Sequence, residues 1–311
     1  MTKRIALIDG DALCYQSSKE TLEESIKNID EKVQNIFDKT ESSHYVVFIS
    51  NSPYFRHKID PNYKSTRKKY ESPLKWLKTL KAYLKERWNA QSMNLVEADD
   101  LVRYWYNRTF KYYETDMETH IQKAVTYEKV YLDDLKFYKD LPQYKSKTVW
   151  EDVEKVICSP DKDLLQSIPG KHFNYSYKLE DKDNPNSVIK GWWVENELMD
   201  SQRFRWKQMI QGDSADSIGG IKNYGEVKAD KIIKDCDEIR LPYHECILTH
   251  YIKIYGVSQG IYEFQKNYRL LHLLSSDEDF MREVGKLPDF PVITEIVHDS
   301  QIENLDEKLT F

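Results

Sequence analysis

The sequence predicts an α/β fold: a central, mostly parallel sheet with helices on both faces, followed by a helical C-terminal region. Two observations carry that expectation. Short apolar runs that end in acids alternate with stretches of helical spacing, as parallel strands joined by crossover helices do. From about residue 190 onward the pattern turns helical. The 311 residues are 32% charged and 40% hydrophobic, which suits a soluble globular chain and not a disordered one. No apolar run approaches the roughly 20 residues of a membrane span. The apolar run of the basic N-terminus ends after four residues, too short for a signal peptide. Cys14, Cys158, Cys236 and Cys246 form no CxxC pair, so buried free thiols in a reducing cytoplasm are expected.

Taken in order, "RIALIDGD" reads as a buried strand with acids at its carboxyl end. The following stretch to Thr40 has helical spacing, with Leu22, Ile26, Ile29, Val33 and Ile36 on one stripe. "HYVVFIS" is a second strand, and the Pro- and Asn-broken stretch from Asn51 reads as a basic loop. "LKWLKTLKAYLKERW" is an amphipathic helix, and "SMNLV" is read as a third strand, ending at "EADD" before a helix through "DLVRYWYNRTF". Residues 110–150 are a Tyr-rich insertion, and "VEKVICSPDKDLL" is a further strand. The expected division is an α/β domain over 1–190, with a basic clamp at about 51–90, and a helical region over 191–311 holding a hairpin motif at 213–235.

Ligands of such sheets bind at the carboxyl ends of the strands. That edge collects Asp9, Glu97, Asp99, Asp100, Asp161 and Asp163, and the later Asp213 and Asp216 bring the carboxylates to eight. Crowded carboxylates repel, and burial raises the cost. Hard divalent cations reverse it, and two ions about 3.5–4 Å apart can stabilise both oxygens of a phosphoryl displacement. Each group also has an ordinary reading. Asp9 or Asp11 could cap a helix, Asp161 and Asp163 could cap "LLQSI", Asp99 and Asp100 suit a helix start, and Asp213 and Asp216 could lie in a solvated turn. Convergence of all four groups on one rim favours a metal site.

Net charge is −6, yet from Arg56 to Trp88 eleven Lys and Arg face three acids. Tyr54, Phe55, Tyr63, Tyr70 and Trp76 are interleaved with Arg56, Lys64, Arg67, Lys68 and Lys69, the mixture that grips phosphates and stacks on bases. A solvated helix face explains Lys75, Lys78, Lys81 and Lys85 equally well. "GGIKNYGEVKADKII" reads as a Gly turn between helices, able to aim N–H groups at a phosphate backbone.

The ordered set "LIDGDALCY", "FRHKIDPNYKSTRKK", "VEADDLV", "SPDKDLL" and "QGDSADSIGGIKNYGEVKADKI" resembles the 5′-nuclease superfamily of flap endonucleases and 5′→3′ exonucleases, and above all its compact bacteriophage members. The resemblance spans residues 5 to about 233. It implies a PIN-like 5′-nuclease fold with a helical clamp or arch and a helix–hairpin–helix-type motif. It also implies Mg²⁺-dependent phosphodiester hydrolysis on branched or 5′-ended DNA, or on RNA–DNA hybrids during primer removal, with two ions and Mn²⁺ as a substitute. Asp9, Glu97, Asp99, Asp161, Asp163 and Asp213 fall on metal-ligand positions, and Asp100 and Asp216 on supporting acids. Lys64 and Arg67 fall on the basic pair near the scissile phosphate, with Arg56, Tyr63, Lys68 and Lys69 in the clamp region and Tyr15 where a ring can stack on the terminal base pair. Gly220, Gly225 and Lys228 lie in the hairpin, whose main chain can hold K⁺ beside DNA. Expected partners are DNA with a 5′ flap, nick or free end, and replication proteins such as a single-strand-binding protein and a polymerase. The chain is expected to act as a monomer, in the host cytoplasm if it is phage-encoded.

The sequence departs from the family pattern twice. "FISNSPYFR" has Ser50 and Asn51 where an acid is usual, which implies one ion held more weakly or largely through water. Asn223 and Val227 stand where Gly and Lys are usual in the hairpin. A branched-DNA-binding protein that lost catalysis with the missing acid, and a PIN-type RNase, are the rival readings.

Overall fold

The computed structural model describes residues 4–67, 75–108, 111–114, 125–128, 153–180, 184 and 187–296. Lys68, Lys69 and most of the 110–150 insertion lie outside the described residues. No described helix is long and apolar enough to cross a membrane.

Strand β1 (Arg4–Asp9) is buried from Ile5 to Asp9 and leads directly into α1 (Gly10–Ser17). One continuous helix to Thr40 was expected, but the chain breaks after Ser17. The Thr21 hydroxyl accepts the Glu24 N–H and starts α2 (Leu22–Thr40). An N-cap that competes with helix continuation explains the break. Then follow β2 (His44–Phe48), β3 (Asn51–Tyr54), α3 (Arg56–Ile59), α4 (Leu77–Arg87), β4 (Asn94–Leu95) and α5 (Ala98–Tyr106). Within the insertion, β5 (Lys111–Glu114) and β6 (Val125–Glu128) pair antiparallel. Next come β7 (Glu154–Cys158), α6 (Lys162–Ser167), β8 (Gly170–Leu179) and β9 (Val188–Asn196). The remaining chain forms α7 (Leu198–Gln211), β10 (Gly212–Asp213), β11 (Ile218–Gly219), α8 (Glu226–Ile239), α9 (Tyr243–Tyr255), α10 (Val257–Leu271), α11 (Asp277–Glu283) and β12 (Thr294–Glu295).

The main sheet has the order β12-β2-β1-β7-β8-β9, with β2, β1, β7 and β8 parallel and the two edge strands antiparallel. Alternation along β1 feeds two cores. Ala6 and Ile8 pack with Leu13, Ile29, Val33 and Leu84 from α1, α2 and α4. Ile5 and Leu7 pack on the other face with Leu101, Trp105, Leu164 and Phe280 from α5, α6 and α11. Helices therefore cover both faces, as expected. A third apolar cluster, including Ile210, Ile233, Ile247 and Tyr251, lies within α7 to α9.

Three details differ from the sequence reading. The strand expected at "SMNLV" is two residues long and pairs with β3, outside the main sheet. The β8–β9 hairpin was not anticipated, and residue 190 falls inside β9. Cys236 and Cys246 are joined by a disulfide between α8 and α9, whereas Cys14 and Cys158 are the expected buried free thiols. The pair was invisible in a ten-residue spacing, because only the turn between these two consecutive helices brings the sulfurs together.

Gly10 sits where β1 meets α1. A Cβ there would lie 2.7 Å from the Ile49 side chain and 2.8 Å from the Phe48 carbonyl oxygen. Gly10→Ala should therefore lower the unfolding free energy by about 1–3 kcal/mol through overpacking, measured by urea denaturation.

Candidate metal centre

Because β1 and β7 run parallel and adjacent, their carboxyl ends deliver Asp9 and the Ser159–Asp161 turn side by side. Asp9 is 2% exposed. Its Oδ1 caps α1 by accepting the N–H groups of Asp11 and Ala12, at 3.1 and 3.2 Å. Its Oδ2 accepts the Ser159 hydroxyl at 2.8 Å, and its main-chain oxygen accepts the Tyr175 hydroxyl at 2.6 Å. Asp161 caps α6 by accepting the Asp163 N–H at 2.8 Å. Asp163 accepts from the Gln208 amide at 2.7 Å. Asp213, on β10, accepts the Ala215 N–H at 2.9 Å and pairs with Lys162 at 3.3 Å. The Asp99 carboxylate, in the first turn of α5, accepts no hydrogen bond among the described residues. Capping and convergence thus coexist: a helix start favours an acid, and the sheet's edge brings the helix starts together.

The crowding shows in the protonation equilibria. Burial first, then Asp11 and Asp161, push Asp9 up to about 7. Burial, then Asp161 and Asp213, push Asp163 up to about 7. Asp99 is raised by burial and then by Asp9 and Asp161. Two overlapping groups emerge, Asp9/Asp99/Asp161 and Asp161/Asp163/Asp213, with Asp161 common to both. No three acids among the described residues close on one point as a ready-made cage. Mg²⁺ does not need one, since it is commonly held by one or two carboxylates and several waters. The donor chemistry fits a hard divalent cation.

Beside these acids lies a buried cationic network. Arg56 is 2% exposed, and all five of its N–H donors are used. They reach the Leu270 and His272 carbonyls, Glu97 at 2.9 Å and both oxygens of Asp100 at 2.7 and 2.8 Å. Arg56 was expected to touch nucleic acid; the structure corrects this, because no donor remains for a phosphate. Asp100 is likewise fully buried, and its oxygens are taken by Arg56 and by the N–H groups of Leu274 and Glu97. With both oxygens engaged, Asp100 sits behind the rim, the position of a supporting acid that the resemblance implies, and not of a direct ligand. Tyr63 is buried and donates to Glu97 at 2.8 Å, so it cannot stack on a base as expected.

Lys64 pairs with Glu97 and lies 3.9 Å from Asp216, and Arg67 binds Asp216 at 2.6 Å. Burial opposes the Lys64 charge, but Glu97 and Asp216 outweigh it and hold the ammonium above its ordinary range. Glu97 is also buried, yet Lys64 and Arg56 keep it below the usual carboxylate range. Lys64 has φ +58, a left-handed conformation uncommon for a non-glycine residue. Its main chain is pinned there: its N–H donates to the Asp216 carbonyl at 2.8 Å, and the Thr66 N–H donates to the Ser217 hydroxyl at 3.1 Å. The loop after α3 and the β10–β11 turn are thereby clasped, which brings Glu97, Asp216, Lys64 and Arg67 together.

Elsewhere, Tyr15 is 39% exposed on α1. Gly220 is explained by packing, since a Cβ would lie 2.2 Å from the Ile210 carbonyl oxygen, whereas Gly225 at the start of α8 faces open space. Lys228 is exposed and donates to the Asn223 carbonyl at 2.8 Å. Asn223 adopts φ +64, so it tolerates the backbone shape that glycine would supply. The sequence reading missed the surroundings of Ser50. The Ser50 hydroxyl accepts the Ala98 N–H at 2.8 Å, and its own N–H donates to Asp11, which pairs with Lys81 at 2.8 Å. The position lacking an acid is thus bordered by Asp11. Ser159 and Gln208 were also missed, because single polar residues carry no pattern.

No protein-family model matches the chain, and no curated protein does either. Among solved structures, the chain is similar to the bacteriophage T5 flap endonuclease in a pseudo-enzyme–product complex with DNA and metal ions. The TM-score is 0.54 at 14% identity, covering 91% of this chain and 94% of that one. It is also similar to the T5 protein co-crystallised with metal ions, with TM-score 0.50 at 16% identity, covering 88% and 90%. The chain has the 5′-nuclease fold.

Two outcomes follow. Arg56→Ala strands two buried carboxylates and should cost about 3–5 kcal/mol of unfolding free energy, read from the denaturant midpoint. Asp9 and Asp163 have folded values above the ordinary 3.8, so the stability they contribute is full below about pH 4 and lost as pH rises through about 7. With chelator present, Asp9→Asn should therefore flatten the fall in melting temperature between about pH 5 and 8.

Proposed function

We propose that the chain is a structure-specific, divalent-metal-dependent 5′-nuclease that hydrolyses phosphodiesters of DNA bearing a 5′ flap, nick or free end, or of RNA–DNA hybrid. The observation that carries this reading is the pair of overlapping carboxylate groups sharing Asp161, set beside Lys64 and Arg67. The T5 structure containing DNA and metal ions supports it, as that protein has the same fold.

Asp9, Asp99 and Asp161 would hold one ion and Asp161, Asp163 and Asp213 the other. Mg²⁺, when bound, would supply Lewis-acid stabilisation of phosphoryl charge and acidify the attacking water. Lys64 and Arg67 supply the positive charge that meets the developing negative charge. In the ligand-free protein both cations are occupied by Glu97 and Asp216. An arriving phosphate would compete with Glu97 and Asp216 for these two cations. Tyr15 would stack on the terminal base pair, and the Gly225–Lys228 end of the hairpin would follow the duplex backbone, with K⁺ at its main chain. Primer removal or recombination alongside a single-strand-binding protein and a polymerase is the role that fits such an activity.

The rival reading of a branched-DNA binder without catalysis draws on Ser50 and Asn51, where an acid is missing. Asp161→Asn separates the two. With Mg²⁺ or Mn²⁺ the wild type should release short 5′ products from a flap or recessed duplex, and the variant should bind the same DNA without cleaving it. Absence of cleavage by the wild type across several substrates contradicts the enzyme reading. Lys64→Ala should lower the single-turnover cleavage rate by about 10²-fold or more. Mg²⁺ should raise the melting temperature more at about pH 8 than at about pH 6, because it binds the deprotonated acids.

A further inference from the structure

Arg103 on α5 and Arg205 on α7 border one narrow void behind Asp163. Each has a fully buried nitrogen with no partner, Nη1 of Arg103 and Nε of Arg205. Neither guanidinium has an ion pair or hydrogen bond among the described residues. Burial, then Arg205, push Arg103 down to about 10, and burial lowers Arg205 as well. The acid acting on Arg103 is Asp279, which is already held by Arg282 and by the N–H groups of Ser275 and Ser276. Asp163 lines the same void but accepts from Gln208 and pairs with neither arginine, so two desolvated like charges with orphaned donors remain, costly unless a further anion joins them.

The surroundings describe the anion. The void holds about 20 Å³, room for one water. It shares Arg205, Gln208, Leu271 and His272 with a wider cavity of about 250 Å³ that Trp206 and Tyr268 also line. The rings of Trp206 and Tyr268 are 6.0 Å apart, and Tyr268 stacks on His272 at 5.2 Å. Cations at one end and flat rings beside them are what a phosphate joined to an aromatic base requires. We propose that Arg205 and Arg103 form a subsite for a nucleoside phosphate monoester, with the phosphate on Arg205, a water bridging to Arg103, and the base against Trp206 and Tyr268. The ligand is either a free mononucleotide or the phosphorylated end of a strand. Asp163 of the rim borders the narrow void, but Arg205, Trp206 and Tyr268, which would hold the nucleotide, are not rim residues, so its test in chelator is separate from that of the nuclease reading.

Calorimetric titration of the full chain in chelator tests it, with thymidine 5′-monophosphate, thymidine, and dinucleotides with and without a 5′ phosphate. Thymidine 5′-monophosphate should bind at least about tenfold more tightly than thymidine, and Arg205→Gln and Arg103→Gln should each lose about tenfold or more. Arg205→Lys should retain part of the affinity. Tighter binding of the phosphorylated dinucleotide than of the mononucleotide assigns the site to strand ends; the reverse assigns it to free nucleotide. The ligand-free Arg205→Gln protein should melt no lower than the wild type, since it sheds repulsion. No binding of either phosphorylated probe up to about 10 mM, or binding that Arg205→Gln leaves unchanged, overturns the proposal.

Discussion

The buried Arg56 guanidinium is the interaction on which the rest of the structure depends. It joins α3, the start of α5 and the chain leaving α10, using every donor it has. A lone buried guanidinium would be prohibitively costly, and so would the buried Asp100 and Glu97 without it. Together they form a closed set that fixes where the acidic start of α5 can lie relative to β1. Lys64 and Tyr63 complete the coordination of Glu97 from the following loop, so the clamp region is tied to the rim by charge.

The rim shows how a fold can hold carboxylates close together before any cation arrives. Each acid has a local reason to be there: Asp9 and Asp161 cap helices, Asp213 closes a turn, and Asp163 is held by Gln208. The cost of gathering them appears as raised proton affinity at Asp9, Asp99 and Asp163, the state a divalent ion would displace. At Glu97 and Asp216 the chain instead supplies Lys64, Arg67 and Arg56. Charge is thus balanced internally at one side of the site and left unbalanced at the other.

Much of the fold was legible because β1, β2 and β7 are short, largely apolar runs, two of which (β1 and β7) lead into acids, a pattern that a buried parallel strand explains well. The clusters of carboxylates were legible for the same reason, since each follows an element whose end is marked. The direction of a side chain was not. Arg56 and Tyr63 sit in a basic, aromatic stretch that reads as a nucleic-acid surface, yet both turn inward, Arg56 to neutralise Glu97 and Asp100 and Tyr63 to donate a hydrogen bond to Glu97. The β8–β9 hairpin lacked a long buried run, with β9 only partly covered along its length. The Cys236–Cys246 bond depends on how two consecutive helices turn back on each other, and the Arg103–Arg205 pair on contact between distant elements; spacing encodes neither.

The central claim is that the carboxyl edge of the sheet is a divalent-cation site. A crystal structure in Mn²⁺, with ions located by anomalous scattering, tests it most directly. Two sites are expected, one on Asp9, Asp99 and Asp161 and one on Asp161, Asp163 and Asp213. Scattering peaks absent from these carboxylates at saturating Mn²⁺, or found only elsewhere on the protein, would contradict it.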